Sequence, residues 1–157
     1  MIIIKDNVFS NEEMSRLDDL RAQWRVPNYQ EWYTKGHNWD LSWFCNKLLD
    51  EASTKLNFEY NHYEFWPHTN TRPLSWHYDK NEKKSDEGLE DEYPECSIVF
   101  YPIVDDNLVG GKLMFQNGLS IPPERNRVVI FSAGILHTVQ PFRGKRISYN
   151  INPWRIE

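Results

Sequence analysis

Apolar positions follow two different periods along the chain, and the change from one to the other divides it into two parts. The first part carries two segments with apolar side chains three and four residues apart, which is the spacing of amphipathic helices. One segment follows the capping-box pattern Ser10-Asn-Glu-Glu13 and is expected to end near Trp24. The other is expected to begin with Asp40 as its N-cap and to end near Leu56. A short apolar strand, Ile2 to Lys5, precedes both helices.

The second part has the period of β-strands. Side chains alternate from Phe58 to Trp66, with rings on both faces. Four further segments have the length and residue content of strands: Leu74–Asp79, Cys96–Val104, Lys112–Phe115 and Arg127–Phe131. The stretch between the two helices, residues 26–39, is expected to be an aromatic loop or an irregular strand. The pattern predicts a mainly β sandwich or barrel within a single domain of residues 1–157, in which residues 1–56 form a helical support region and residues 57–157 form the core.

The C-terminal stretch reads as two apolar strands joined by a turn at Pro141 to Gly144. One strand carries His137 and the other carries Arg146. Alternation places Arg146, Ser148 and Asn150 on one face, with apolar side chains on the other. A cation and a hydroxyl on an inner face are costly to bury unless an anion meets them, so Arg146 and Ser148 predict a carboxylate clamp. The neighbouring His137 is then a candidate metal ligand or base.

Two further candidate metal ligands lie at the end of the predicted strand Leu74–Asp79. On that strand, His77 and Asp79 project from the same face, so both can reach one ion. Together with His137 they give two histidines and one carboxylate, which is the facial triad of non-haem Fe(II) oxygenases. Arg146, nine residues after His137, is expected to face the same pocket. This arrangement suits 2-oxoglutarate, whose keto-acid end chelates iron and whose far carboxylate needs an arginine.

At these residues the chain resembles the Fe(II)/2-oxoglutarate-dependent dioxygenases, and within them the prolyl-hydroxylase-like branch. The resemblance covers roughly Phe58 to Trp154. The stretches that carry it are His77-Tyr-Asp79, Ser97-Ile-Val-Phe-Tyr101, Gly110-Gly-Lys-Leu-Met-Phe115, and His137-Thr-Val-Gln-Pro141 followed by Arg146-Ile-Ser148. The resemblance implies a double-stranded β-helix, or jelly-roll, fold with flanking N-terminal helices.

The resemblance also implies roles for individual residues, with Fe(II), 2-oxoglutarate and O2 as cofactors. The expected iron ligands, which are also the catalytic residues, are His77, Asp79 and His137. The expected ligands of the distal carboxylate are Arg146, Tyr101 and Ser148. The candidate walls of a substrate pocket are Trp66, Trp76, Asn150 and Trp154. The tryptophans can equally be plain packing residues.

One stretch departs from the pattern of the family. Prolyl hydroxylases of this branch place a tyrosine and a glycine-rich turn before the first iron ligand, whereas this chain has Phe65-Trp-Pro-His-Thr-Asn-Thr-Arg-Pro73. Trp66 stands where that tyrosine is expected, which leaves the identity of the substrate open. A second His-x-acid pair, His62-Tyr-Glu64, lies within an aromatic strand without a following loop, and we do not assign it to the metal.

The charged excursion from Lys80 to Glu95 directly follows two expected iron ligands. Its length and position favour a lid over the substrate, and a plain solvated excursion is the alternative. The expected activity is hydroxylation of a C–H bond with release of succinate and CO2. A prolyl or other peptide residue is the preferred substrate. The alternatives are a free amino acid or small metabolite, and a non-catalytic jelly-roll binding module.

Composition and charge narrow the choice of partners and compartment. A net charge of −5 argues against a phosphate backbone as main partner. Asn152 also stands where nucleic-acid repair dioxygenases carry a second arginine. Aromatic side chains make up 15 % of the chain, which is typical of β-rich domains and of pockets lined with rings. Cys45 and Cys96 are expected to be reduced and buried, as in a cytoplasmic protein, and the apolar run at Met1 is too short for a signal peptide or a membrane span.

Overall fold

The computed structural model describes residues 1–90 and 92–157, and the side chains of residues 82 and 83 also lie outside what it describes. The helices are α1 (Asn11–Ala22), α2 (Ser42–Leu56) and α3 (Glu82–Asp86). The strands are β1 (Ile2–Asp6), β2 (Glu31–Thr34), β3 (His62–His68), β4 (Leu74–His77), β5 (Cys96–Val104), β6 (Val109–Gly110), β7 (Leu113–Phe115), β8 (Ser120–Ile121), β9 (Arg127–Ser132), β10 (His137–Val139), β11 (Phe142–Arg143) and β12 (Arg146–Trp154). The predicted fold class, mainly β with N-terminal helices, is confirmed.

Two antiparallel sheets pack against each other as the two layers of a jelly roll. The large sheet has the strand order β1-β9-β5-β12-β3-β2, and the small sheet has the order β4-β10-β7-β8. β6 and β11 form a separate two-stranded ladder. The segment before residue 57 therefore supplies helices and also both outer strands of the large sheet.

The first helix begins where its sequence predicts. The backbone N–H of Glu13 donates to Oγ of Ser10 at 3.1 Å, and the N–H of Ser10 donates to Oε1 of Glu13 at 3.0 Å. These two bonds satisfy N–H groups that the first turn of a helix otherwise leaves unpaired. The helix ends at Ala22, slightly before the expected Trp24.

The predicted cap of the second helix is wrong. Leu41, not Asp40, occupies the N-cap position, and it makes no side-chain hydrogen bond. The carboxylate of Asp40 instead pairs with Arg25 at 3.6 Å. The chain before the helix is held by Ser42, whose hydroxyl accepts from the N–H of Trp39 at 2.6 Å.

One face of the large sheet packs on the helices, and the other packs on the small sheet. Phe44 of α2 meets Phe100 of β5 and Tyr149 of β12 with ring centres 5.1 and 5.8 Å apart. The side chains that share the face of Tyr149 belong to this helix-side core, whereas Arg146 and Ser148 point to the interior between the sheets. A second core fills that interior, with Val99, Tyr101, Leu113, Phe115, Ile121, Val129, Phe131 and Val139. The predicted alternation along β12 is confirmed.

The two C-terminal strands are not neighbours, contrary to the sequence interpretation. β10 with His137 belongs to the small sheet, and β12 with Arg146 belongs to the large sheet. The expected turn does not form a hairpin between them, because residues 142–143 form strand β11, which pairs with β6. Gly110 permits this pairing, since a Cβ atom there would lie 2.2 Å from the carbonyl oxygen of Pro141. The chain thus crosses from one sheet to the other between the two functional strands.

Two strand boundaries near the site differ from the prediction. β3 begins at His62 rather than Phe58 and continues to His68, where it still pairs with Ser148 of β12. β4 ends at His77, so Asp79 lies beyond the strand. The charged excursion contains α3, and its residue 91 lies outside the described residues.

Both cysteines are buried and unpaired. In the part of the chain that the structure describes, no helix combines the length and apolar character needed to cross a bilayer.

Candidate active site

Three side chains converge on one point between the sheets. His77 ends β4, Asp79 follows it, and His137 begins the neighbouring strand β10, directly opposite His77. Their ligand atoms all lie within 4.8 Å of one another. Oδ1 of Asp79 is 3.5 Å from Nε2 of His77 and 3.4 Å from Nε2 of His137. Among the described residues, no other group of three His, Cys, Asp or Glu side chains is placed to share a metal ion.

Backbone carbonyls fix the orientation of both imidazoles. Nδ1 of His77 donates to the carbonyl oxygen of Ser75 at 2.6 Å, and Nδ1 of His137 donates to that of Ile135 at 2.8 Å. With the proton on Nδ1, each ring presents the lone pair of Nε2, which is the neutral form that a metal takes. Both Nε2 atoms face the same oxygen of Asp79.

Two polar side chains on the large sheet hold the carboxylate of Asp79. Its Oδ2 accepts from the hydroxyl of Ser97 and, at 3.2 Å, from Nδ2 of Asn152. Burial by itself would raise the pKa of Asp79, but its polar contacts with His137 and His77 and the hydrogen bond from Ser97 outweigh it and hold that pKa well below the usual range. The carboxylate is therefore ionised, as a metal ligand must be.

Among the side chains that the structure describes, Arg146 is the largest fully buried one, with 2 % of its surface exposed. Its Nη1 lies 3.2 Å from Nδ1 of His68, and its Cζ lies 5.3 Å from the ring centre of Tyr101. Nε of Arg146 and the hydroxyl of Tyr101 are buried without a hydrogen-bond partner among the described residues, and none of the ion pairs found among those residues involves Arg146. A buried cation is costly without an anion, so this set of donors fits a carboxylate.

Gly111 makes room for that arginine. Its φ is +77°, and a Cβ atom there would lie 3.0 Å from Cδ and 3.4 Å from Nε of Arg146. Any other residue would be strained in this conformation and would crowd the stem of the guanidinium. The two glycines of the Gly-Gly pair are therefore needed for different contacts. Gly110 allows the close approach of Pro141, and Gly111 leaves room for the side chain of Arg146.

Two connected spaces meet at the metal-binding group. An outer cleft of about 380 Å³ and an inner cavity of about 20 Å³ share Trp66, Leu74, His77 and Asp79 in their walls. The inner cavity continues to Arg146 and Ser148. A five-carbon diacid is larger than the inner space, so the side chains that line it must move apart when such a molecule binds.

Two of the four candidate pocket residues lie at these spaces. Trp66 lines both, and Asn150 lines the inner cavity, where its Nδ2 donates to Oγ of Ser148 at 3.2 Å. Trp76 and Trp154 line neither. Trp76 directly precedes His77 on β4, so alternation turns it to the opposite face, where 49 % of its surface is exposed. Trp154 packs on Trp32, with ring centres 5.6 Å apart.

A scan against protein families matches residues 58–154 to the 2OG-Fe(II) oxygenase superfamily. The chain belongs to this superfamily. The cofactors expected from the sequence, Fe(II), 2-oxoglutarate and O2, are those of the family, and the protein is an oxygenase enzyme. The donor set described above suits them, since two neutral imidazoles and a carboxylate are ligands that Fe(II) takes with positions left open.

Solved structures of similar fold span nearly the whole chain. A viral collagen prolyl hydroxylase from Paramecium bursaria Chlorella virus-1, in complex with 2OG, has a TM-score of 0.70 at 17 % identity and covers 99 % of this chain and 96 % of its own. A prolyl-4-hydroxylase from Pseudomonas putida has a TM-score of 0.69 at 16 % identity, with 99 % and 93 % covered. An oxidoreductase of the 2OG-Fe(II) oxygenase family from Burkholderia pseudomallei has a TM-score of 0.60 at 16 % identity, with 98 % and 87 % covered. At these identities the likeness is one of fold. A search of curated proteins finds no match.

The oxygenase site contains polar residues that the sequence interpretation did not assign. Ser97, Asn152 and His68 all point inward toward the site. The alternation along β12 that places Asn150 inward also places Asn152 inward, so the sequence could have predicted the position of Asn152. Nothing in the local pattern of β3 distinguishes His68 from a residue of the following loop.

Glu64 of the rejected His-x-acid pair lies in the outer cleft but outside the metal-binding group. Its carboxylate accepts from Nε1 of Trp154 at 3.0 Å and from the side-chain amide of Gln30. His62 lies at the far end of β3, where its Nδ1 meets the side chain of Asn61 at 2.8 Å. Glu64 therefore lies in the cleft and His62 at the end of β3, so the two side chains do not form a shared metal site.

The charged excursion is closed at its base. The N–H of Asn81 donates to the carbonyl oxygen of Glu92 at 2.8 Å, and the ammonium of Lys84 pairs with the carboxylate of Glu92. Tyr78 and Lys80, where the excursion leaves the site, line the outer cleft of the oxygenase. The excursion thus starts at the wall of the cleft.

Proposed function

We propose that the chain acts as one catalytic domain that hydroxylates a C–H bond of a prolyl or other peptide residue, with His77, Asp79 and His137 as its iron ligands. The observation that carries this proposal is the convergence of two oriented Nε2 atoms and one ionised carboxylate within 4.8 Å. Iron bound there with 2-oxoglutarate supplies the activation of dioxygen, coupled to the release of CO2 and succinate.

Arg146 and Tyr101 bind the distal carboxylate of 2-oxoglutarate in this proposal. Burial raises the pKa of Tyr101, although the charge of Arg146 opposes the shift, so the phenol keeps its proton and donates. Ser148 accepts from Asn150 and is left with its hydroxyl hydrogen to donate to the same carboxylate. Arg146 and Ser148 line the end of the narrow inner cavity, where such donors select for a diacid over a monoacid.

Apolar side chains keep the inner site dry. Val99, Leu113 and Val139 line it between the iron ligands and Arg146. Exclusion of water strengthens the attraction between the guanidinium and a bound carboxylate. It also limits side reactions of reactive oxygen species with solvent.

The form of the outer cleft supports a peptide as substrate. Gln30 is exposed and Tyr78 is 37 % exposed, so the cleft opens to the surface beside the metal-binding group. An open cleft admits one residue of an extended chain, whereas sites for free amino acids enclose them. The excursion after Asp79 would act as the lid of this cleft. We also propose a cytoplasmic location, which fits two buried, unpaired cysteines.

The test measures succinate formed by the Fe(II)-loaded protein with 2-oxoglutarate and either proline-containing peptides or free amino acids. Peptides are expected to stimulate succinate formation and to gain the mass of one oxygen atom, and Asp79→Ala is expected to abolish both. Stimulation by free amino acids alone would replace the peptide proposal with a small-metabolite hydroxylase. Absence of oxidation with every substrate, in a protein that binds both cofactors, would favour the binding-module alternative.

A further inference from the structure

His68 is a buried polar residue next to the proposed cosubstrate site. It is the last residue of β3, pairs in register with Ser148, and has 4 % of its surface exposed. Its ring packs edge-on against Phe142, with ring centres 6.2 Å apart. His68 lies in the stretch where this chain departs from the tyrosine and glycine-rich turn of the prolyl-hydroxylase branch.

The hydrogen bonds of His68 define its tautomer. A guanidinium only donates, so the contact of 3.2 Å between Nη1 of Arg146 and Nδ1 of His68 makes Nδ1 an acceptor without a proton. The proton is then on Nε2, which donates to the carbonyl oxygen of Arg72 at 3.2 Å. Burial and the charge of Arg146 both lower the pKa of His68, which keeps the ring neutral.

This contact determines which part of the guanidinium remains available. Nη1 is engaged by His68, whereas Nε is buried without a partner. A carboxylate binds a guanidinium best through two parallel N–H groups, and the edge formed by Nε and Nη2 offers such a pair. An acceptor on Nη1 therefore holds the guanidinium in one orientation before the carboxylate arrives, which lowers the entropy lost on binding.

We propose that His68 is a positioning residue for 2-oxoglutarate, acting through Arg146 as a neutral acceptor that fixes the guanidinium with its Nε edge toward the distal carboxylate. The inference rests on the proposed role of Arg146. It concerns binding of the cosubstrate and leaves the iron ligands unaffected. Loss of the acceptor is expected to raise the dissociation constant and KM for 2-oxoglutarate, with little change in kcat.

Three substitutions distinguish the effect of losing the hydrogen-bond acceptor from the effect of losing the volume of the imidazole ring. His68→Asn places an amide oxygen where Nδ1 lies, and so keeps the acceptor for Arg146. His68→Gln places its amide near Nε2 instead, and His68→Leu has no acceptor at all. His62→Leu on the same strand is the matched control, because His62 does not line either space of the site.

The measurement is calorimetric titration of 2-oxoglutarate into the Mn(II)-loaded protein, which binds the cosubstrate without turnover. We expect His68→Leu and His68→Gln to weaken binding about tenfold or more, the effect of losing a buried hydrogen bond to a charged group. His68→Asn is expected to stay within about threefold of the parent protein, and His62→Leu to be unchanged. If His68→Leu does not fold, the comparison of His68→Gln with His68→Asn decides the question.

Arg146→Ala distinguishes failure of this inference from failure of the proposed function. If Arg146→Ala binds 2-oxoglutarate as tightly as the parent protein, the proposed cosubstrate site is wrong and the role of His68 fails with it. If Arg146→Ala weakens binding while folded His68→Leu and His68→Gln do not, only the inference about His68 is overturned. Equal weakening by all three His68 variants also overturns it, because the position of the acceptor would then be immaterial.

Discussion

Nδ2 of Asn152 donates a hydrogen bond of 3.2 Å to Oδ2 of Asp79, the carboxylate oxygen that does not face the two histidines. Ser97 donates to the same oxygen from β5, and Nδ2 of Asn152 also lies 3.1 Å from Oγ of Ser97. Asp79 lies beyond the end of β4, so strand geometry alone does not hold its side chain. Two residues of the large sheet thus position a ligand that lies just beyond β4 of the small sheet.

Removal of either donor is expected to weaken metal binding. In Asn152→Ala or Ser97→Ala the carboxylate of Asp79 can rotate away from the histidines, and the affinity for Mn(II) should fall about 10- to 100-fold. Free Mn(II), measured by its electron paramagnetic resonance signal during titration, gives the affinity directly. Ser53→Ala is the control, because that hydroxyl only donates to a carbonyl of α2. Unchanged affinity in both folded variants would show that Asp79 needs no support from β5 and β12.

Gly111→Ala is expected to weaken binding of 2-oxoglutarate. The new Cβ would lie 3.0 Å from Cδ of Arg146, so the arginine side chain would have to shift from its position in the inner cavity. Gly118→Ala is the matched control, because Gly118 also has a positive φ, of +90°, but nothing lies within 4 Å of its added Cβ. Both variants should lose about 1–2 kcal/mol of stability from backbone strain.

Calorimetric titration with 2-oxoglutarate separates the two effects in these glycine variants. Only Gly111→Ala should raise the dissociation constant, because only its methyl group meets the arginine. Equal cosubstrate affinity in both variants, with each protein folded, would mean that Arg146 does not depend on the space that Gly111 leaves.

The helix-side core is expected to determine the stability of the fold. Phe44 is fully buried and contacts rings of two strands of the large sheet. Phe44→Ala should therefore lower the free energy of unfolding by about 3–5 kcal/mol, through lost burial and the cavity left behind. Urea unfolding measures this change. Trp24→Ala, at a side chain that is 92 % exposed, should change it by less than about 0.5 kcal/mol. Similar losses in both variants would contradict the described packing of α2.

Stability should depend on pH through His68. Burial and the charge of Arg146 place its folded-state pKa below the unfolded value of about 6.5. Just below that pH the unfolded chain binds more protons, so the free energy of unfolding falls as pH drops from about 6.5 through the folded pKa of His68. Arg146 is the charged side chain that faces the ring, and Asn70 and the carbonyl of Arg72 oppose the shift.

His68→Asn isolates this pH dependence, because every other ionisable group is present in both proteins. Urea unfolding at about pH 7.5 and about pH 5.5 should show a smaller loss of stability in His68→Asn than in the parent protein. The same loss in both would mean that the pKa of His68 is not lowered by folding.

The sequence predicts much of this site because alternation is a local rule. Arg146, Ser148 and Asn150 were expected on one face of a strand, and they line the inner cavity as that rule requires. The convergence of His77 with His137 was predicted from the ligand types, two histidines and one carboxylate, and from the resemblance to a family. No local rule relates two histidines on strands so far apart in the chain.

Other features depend on contacts between distant segments and were not predictable. Phe142, expected in a hairpin turn, pairs with Gly110 instead. The strand of His137 therefore lies in the small sheet and the strand of Arg146 in the large sheet. The extra residue in β4, relative to β10, lets Leu74 line the inner cavity together with His77, three residues away, against the simple alternation. The hydrogen bond between His68 and Arg146 joins β3 to β12, and only the register of the two strands reveals it.

The most direct test of the proposed site is an anaerobic titration of the purified protein with Fe(II) and 2-oxoglutarate, which follows the weak visible charge-transfer band of the iron chelate. We expect the band in the parent protein, its loss in His77→Ala, and a need for far more 2-oxoglutarate in Arg146→Ala. No band in the parent protein, with the same reagents shown to be competent in a control enzyme, would contradict the assignment of the iron and cosubstrate site.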